Sequence, residues 1–64
     1  MSDFKQRLMQ EIDELHDKIV KLERFLASGT KVVSDEYMAL QAQQLTVMKQ
    51  YENILLRGQE VLNG

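Results

Sequence analysis

The stretch from Phe4 to Leu26 carries an apolar stripe whose spacing permits only one kind of regular structure. Its members recur at alternating intervals of four and three residues, and they are Leu8, Ile12, Leu15, Ile19, Leu22 and Leu26. This spacing keeps them on one side of an α-helix, whereas a β-strand would scatter them over both faces of a sheet. Such a stripe packs its side chains between those of a facing helix. The chain must therefore contain or recruit a helical partner.

A second helix is expected after a short connection. Gly29 suits the left-handed residue just past a helix C-terminus, and Ser34, which two acidic residues follow, suits an N-cap. We predict one domain over residues 1–64, with a helix at about 3–27, a connection at about 28–34 and a helix at about 35–62. Gly58 costs about 1 kcal/mol relative to alanine inside a helix, which leaves open whether the turn after Arg57 is ordered. The predicted fold is all-α, an antiparallel two-helix hairpin.

The second helix carries more apolar surface than one neighbouring helix can cover. One seam comprises Leu40, Val47, Tyr51, Ile54 and Val61, and the next comprises Met38, Leu45, Met48, Leu55 and Leu62. A helix that packs against a single core needs a stripe only about 100° wide. The chain has 64 residues and no cysteine, so neither disulfides nor a Cys/His zinc site can stabilise it, and self-association is the remaining means. We predict a homo-oligomeric helical bundle, with the seam that begins at Met38 at the oligomer interface.

Charge and motif content exclude several classes of function. The net charge of −2 gives no reason to bind duplex nucleic acid or an anionic membrane, and no apolar run approaches the roughly twenty residues that span a bilayer. No signal peptide is evident, so we expect a cytoplasmic protein. There is no phosphate-binding loop, dinucleotide motif or nucleophile elbow, and nothing around His16 completes a metal or catalytic site. We expect no enzymatic activity, no cofactor and no metal, with His16 solvated or at an interface edge.

Cations collect toward the predicted tip of the hairpin. They are Lys18, Lys21, Arg24 and Lys31, and Tyr37 follows them in the first turn of the second helix. Recognition of a nucleotide needs cations for the phosphates and a ring that stacks on the base. The alternative is that the cations only complement the dipole at the end of the first helix. We take the four cations as candidate phosphate ligands and Tyr37 as the candidate stacking residue, and we interpret Tyr51 as a packing residue.

Three segments carry a resemblance to a known group of proteins. They are FKQRL at residues 4–8, ELHDKIVKLERFL at residues 14–26 and QLTVMKQY at residues 44–51. The chain resembles the small helical-hairpin proteins of tailed bacteriophages and prophages. More distantly, it is similar to the phage anti-CBASS and anti-Thoeris hairpin proteins, which assemble as oligomers and sequester nucleotide immune signals without cleaving them. The second resemblance implies a nucleotide sponge in the cytoplasm of an infected or lysogenic bacterium, with pockets between protomers.

Two functions from different classes remain open. The first is phage counter-defence, in which a homo-oligomer binds cyclic oligonucleotides or ADP-ribose derivatives at its subunit interfaces. The second is a helical protein-binding module, in which the broad apolar face of the second helix docks on a host protein and inhibits it.

Overall fold

The computed structural model describes residues 2–29 and 33–64, which form two helices packed side by side. Helix α1 spans Ser2–Ala27 and helix α2 spans Asp35–Asn63. The chain order of their contacts is reversed, since Glu11 meets Tyr51 and Phe25 meets Tyr37, so the helices are antiparallel. The predicted all-α hairpin is confirmed, and the described part of the chain contains no strand. The molecule measures 48 × 15 × 13 Å, which is the thickness of a single helix pair.

The end of α1 and the start of α2 have the conformations that Gly29 and Ser34 predict. Gly29 has a φ of 66°, the left-handed conformation that glycine adopts without a steric penalty. Ser34 is the N-cap of α2, and its hydroxyl accepts a hydrogen bond from the Tyr37 N–H at 3.2 Å. These two ends direct the chain from one helix into the other. The residues between them, 30–32, lie outside the described structure.

The apolar stripe of α1 faces α2 and forms the core. Ile19 is 3% exposed and Leu15 is 9% exposed, and the other members of the stripe are half-buried. Half-buried residues of α2 recur at the same spacing, and they are Met38, Gln41, Leu45, Met48, Glu52, Leu55 and Gln59; Gly58, beside Gln59, is also half-buried. The core is therefore a single line of side chains between two helices. Three residues of this line on α2 are polar, namely Gln41, Glu52 and Gln59. They can lie there because the edges of the core are open to water.

Polar contacts fix how α2 is rotated against α1. His16 Nδ1 lies 3.0 Å from a carboxylate oxygen of Glu52, and Lys49 Nζ lies 3.0 Å from a carboxylate oxygen of Glu23. Exposed ion pairs contribute little stability, typically about 0–1 kcal/mol each. Their main effect here is on register, because only one rotation of α2 satisfies them. His16 thus lies at the edge of the contact between the helices.

Candidate ligand-binding face

Two contacts between the helices define one side of the hairpin. The Tyr51 hydroxyl donates a hydrogen bond to the Glu11 carboxylate. The rings of Phe25 and Tyr37 meet edge to face, with centroids 6.5 Å apart and planes at 88°. Glu11 and Phe25 are two heptads apart on α1, as Tyr37 and Tyr51 are on α2, and residues at heptad spacing stay in line along a packed helix. Both contacts therefore fall on the same side.

Lys18 and Gln44 lie between these two contacts. Lys18 stands one heptad from Glu11 and one from Phe25, and Gln44 stands midway between the two tyrosines. Both residues are exposed. We call the following six residues the tyrosine face: Glu11, Lys18, Phe25, Tyr37, Gln44 and Tyr51. It combines a cation, an amide and aromatic rings, which are the groups that bind phosphates and stack on bases.

Tyr37 is held from two directions at the end of the tyrosine face. Its backbone N–H donates a hydrogen bond to the Ser34 hydroxyl, and its ring forms an edge-to-face contact with the ring of Phe25. The residue nevertheless remains 46% exposed. A ring that is already positioned loses less conformational freedom when a ligand stacks on it. The placement suits the stacking function that the sequence suggested for Tyr37.

Tyr51 is more exposed than its interpretation as a packing residue suggested. It is 43% exposed, and its contact across the hairpin is polar. The hydrogen bond to Glu11 raises the pKa of the Tyr51 phenol above its usual value of 10.0, with further contributions from burial and from the charge of Glu11. The phenol is therefore neutral at pH 7 and retains its proton. The same hydrogen bond engages the carboxylate of Glu11, which is the acidic residue of the tyrosine face.

The candidate phosphate ligands are only partly brought together. Lys18 belongs to the tyrosine face, and Lys21 lies about 60° further around α1, since successive helical residues are about 100° apart. Lys21 forms an exposed ion pair with Asp17 at 2.9 Å, a contact weak enough for a phosphate to displace. Arg24 lies about 120° around the helix from Lys18, and Lys31 lies outside the described residues. Of the candidate phosphate ligands that the structure describes, Lys18 lies on the tyrosine face, Lys21 lies at its edge and Arg24 lies farther around the helix.

The residues predicted to form the oligomer interface are partly used within the hairpin. Met38, Leu45, Met48 and Leu55 are half-buried on the side of α2 toward α1, and Leu62 is 42% exposed. The neighbouring seam of α2 is exposed along its whole length, and its members are Leu40, Val47, Tyr51, Ile54 and Val61. The seam that begins at Met38 already contacts α1, whereas the seam that begins at Leu40 is exposed and could contact a second protomer. The interface at Met38, Leu45, Met48, Leu55 and Leu62 stays a prediction.

Sequence reasoning missed Phe25 and Gln44 as members of the face. The signal that would have found them is the heptad spacing that aligns Phe25 with Lys18 and aligns Gln44 with both tyrosines. That spacing becomes informative only when it is known which positions of α1 and α2 oppose each other.

A small cavity lies at the open end of the hairpin, far from the tyrosine face. Its volume is about 60 Å³, and its lining residues are Lys5, Leu8, Met9, Gln59, Leu62 and Asn63. Small-molecule sites usually enclose about 300–1,000 Å³, so this cavity is too small for a nucleotide. The tyrosine face is an open surface, and a nucleotide bound to it would be enclosed only if a second molecule covered it.

Other kinds of site find no support in the described residues. Within residues 2–29 and 33–64, no group of three acidic or histidine side chains could hold a metal ion. Neither described helix is long and apolar enough to cross a membrane.

Comparison with known proteins gives one match. The model of a protein family described as Sequestin matches residues 2–57, which include all of α1 and α2 as far as Arg57. No curated protein and no solved structure matches the chain.

Proposed function

Since the chain belongs to the Sequestin family, we propose that it binds a nucleotide immune messenger and withholds it from its receptor without cleaving it. The family match confirms the resemblance to sequestering hairpin proteins, and the family name denotes sequestration. The ligand that we propose is a cyclic oligonucleotide or an ADP-ribose derivative. The protein would then act as a phage counter-defence protein in the cytoplasm of the bacterial host.

The main support for this proposal is the position of Lys18 between the contact of Tyr51 with Glu11 and the contact of Tyr37 with Phe25. A nucleotide messenger combines phosphates with a flat base, so its site needs a cation and a ring that one ligand can contact together. Lys18 lies one heptad from Phe25, whose ring contacts Tyr37. In the proposed site Tyr37 stacks on a base, and Lys18 and Lys21 bind the phosphates, with Arg24 and Lys31 as further candidates. Gln44 supplies amide groups that can hydrogen-bond a base or a ribose.

Binding without cleavage is consistent with the chemistry of the tyrosine face. Its Tyr51 phenol is neutral at pH 7 and bound to Glu11, so neither group serves as a free nucleophile or general base. A sequestering protein lowers the free concentration of the signal by stoichiometric binding. Such a mechanism requires affinity and abundance, and it requires no catalytic group.

A homo-oligomer provides the enclosure that one hairpin lacks. The tyrosine face is open in a single chain, and water would compete with each polar contact of a bound phosphate. A second copy placed over this face would exclude water and strengthen the electrostatic attraction. We therefore place the ligand between protomers.

Titration calorimetry with intact protein tests the proposal. The ligands are a panel of cyclic di- and trinucleotides and ADP-ribose derivatives, and at least one should bind. We expect Tyr37→Ala to weaken that binding by about 5- to 150-fold, the range for the loss of one stacked base, whereas Tyr37→Phe should retain it. Lys18→Gln should also weaken binding, and Lys5→Gln, which removes an exposed lysine outside the face, is the matched control.

Two results would reject the proposal. One is the absence of heat with every ligand of the panel. The other is the recovery of a chemically altered ligand after the complex is heated and the released compound is identified by mass spectrometry. The absence of heat would favour the rival function, a module that docks on a host protein through the exposed apolar surface of α2.

A further inference from the structure

The seam of α2 that faces away from α1 remains uncovered in the single hairpin. Leu40, Val47, Ile54 and Val61 are 56%, 57%, 65% and 79% exposed. The molecule exposes 5317 Å², whereas a compact monomer of this mass exposes about 4,200 Å². The excess of about 1,100 Å² is larger than the roughly 800 Å² that each partner buries in a typical stable interface. The hairpin therefore has enough spare surface for one such interface.

This seam has the pattern of a second coiled-coil contact. Its four aliphatic residues alternate, at intervals of three and four, with a second line of α2 residues, Tyr37, Gln44, Tyr51 and Gly58. Alternation at these intervals is the pattern by which one helix packs its side chains between those of another. The second line includes the α2 members of the tyrosine face. A helix that packs on the seam would therefore lie directly beside that face.

Charged residues along one border of the exposed seam indicate which partner packs against it. The border away from α1 comprises Glu36, Gln43, Gln50 and Arg57, all of them exposed. Neither Glu36 nor Arg57 forms an ion pair with another described residue. The acid stands at one end of this line and the base at the other, with two neutral amides between them. Two antiparallel copies of such a line are complementary to each other.

The register of the antiparallel arrangement follows from the numbering. In antiparallel coiled coils, border residues on the same side of the seam face their own counterparts in the second copy. Pairing Glu36 with Arg57 of the second copy also pairs Gln43 with Gln50 of that copy. The same register places Leu40 against Tyr51 of the second copy and Gln44 against Val47 of that copy. In a parallel pair the border line would instead face Gln41, Met48 and Leu55, which offer no charge.

We propose that a second copy of this chain packs its α2 antiparallel against the seam and forms a four-helix bundle of two hairpins. The two-fold axis passes close to Gln44 and Val47, and two Glu36–Arg57 ion pairs form between the copies. The inference rests on the proposed function, for which it places a second copy beside the tyrosine face. In this register Tyr37 faces Ile54 of that copy, and a base stacked on Tyr37 would lie between these two side chains. It does not depend on which nucleotide is bound.

Cysteine cross-linking tests the direction and the register. The chain has no cysteine of its own. Glu36→Cys and ¹⁵N-labelled Arg57→Cys proteins are mixed, oxidised gently and analysed by mass spectrometry. We expect the disulfide-linked species to be predominantly the mixed pair. A predominance of either self-linked pair, or a purely statistical distribution, would overturn the antiparallel arrangement.

Charge exchange tests the ion pairs by sedimentation equilibrium. Glu36→Arg places two arginines together at each end of the interface, and we expect it to weaken the dimer by about three- to tenfold. The double exchange Glu36→Arg with Arg57→Glu should restore the dissociation constant to within about twofold, because it recreates both pairs. Equal weakening in the single and double variants would contradict the pairing, and circular dichroism verifies that each variant is helical.

An apolar-to-charged change locates the interface. Val47→Lys should abolish the dimer, whereas Met9→Lys should not, although Met9 is similarly exposed at 54%. A wild-type chain that stays monomeric at millimolar concentration, or a dimer that Val47→Lys leaves intact, would overturn the inference. A dimer that behaves as described but binds no nucleotide would reject the proposed function alone.

Discussion

Truncation of two isoleucines provides the sharpest test of the hairpin's architecture, because the same change is made at opposite extremes of exposure. Ile19 is 3% exposed and Ile54 is 65% exposed. Truncation to alanine removes three carbon atoms, which contribute about 2.4 kcal/mol when fully buried. Scaling by the buried fraction gives a loss of about 2.3 kcal/mol for Ile19→Ala and about 0.8 kcal/mol for Ile54→Ala. The helix propensity of alanine favours both variants equally, so the difference of about 1.5 kcal/mol is the robust quantity.

Urea unfolding followed by circular dichroism measures both losses. At a protein concentration below the dissociation constant of the dimer, the free energy of unfolding should fall more for Ile19→Ala than for Ile54→Ala by the difference given above. At high concentration the two losses should converge, because a second copy would then bury Ile54. Equal losses at low concentration would refute the assignment of the core. Losses that do not depend on concentration would refute the burial of Ile54 between copies.

Three further outcomes follow from the structure. Gly58→Ala should raise the free energy of unfolding by about 1 kcal/mol in the same urea assay, because an added methyl group meets open space and alanine favours the helix; Gly29→Ala should lower it by about 1 kcal/mol, because of the positive φ. Because Glu11 raises the pKa of Tyr51 in the hairpin, the stability from their bond should be complete below about pH 10 and lost as the pH rises through the folded pKa. Tyr51→Phe should remove this alkaline loss, as unfolding measured from about pH 8 to pH 11 would show. A ligand found by calorimetry should also raise the melting temperature, with a shift that grows with the logarithm of its concentration and is smaller for Tyr37→Ala at the same concentration.

The first helix could be predicted closely from the sequence because it has one apolar stripe. Leu15 and Ile19 lie at the centre of that stripe, and they are the two buried residues in the part of the chain that the structure describes. No other rotation of α1 would place a comparable set of side chains against a neighbour. The hairpin itself followed from Gly29 and Ser34, whose conformations depend on neighbouring residues alone.

The rotation of α2 could not be predicted in the same way. Two adjacent seams satisfy the helical period equally well, and the seam that packs against α1 is the one interrupted by Gln41 and Glu52. The other seam is interrupted too, by Gln44 and Gly58, so hydrophobicity alone does not choose between the two seams. The contacts of Glu52 with His16 and of Lys49 with Glu23 identify the observed rotation, and they join residues far apart in the chain.

Two residues of the candidate face were selected from the sequence, and its arrangement was not. A cation and a ring could be selected for their chemistry, and Lys18 and Tyr37 were selected in this way. Their placement on one side of the hairpin depends on the same rotation of α2, so the contribution of Tyr51 and Gln44 emerged only with the fold. Arg24 was selected for its position in the sequence, but it lies about 120° around the helix from Lys18, because nearness in sequence on a helix does not mean a shared direction.

The thinness of the core has a consequence for the proposed sequestration of a messenger. Among the described residues only Ile19 and Leu15 are buried, so a single hairpin has little reserve against unfolding and proteolysis. A messenger that binds only folded, paired chains would add its own binding energy to that reserve. The proposed messenger would then prolong the lifetime of the protein that sequesters it, and the binding capacity would increase with the concentration of the messenger.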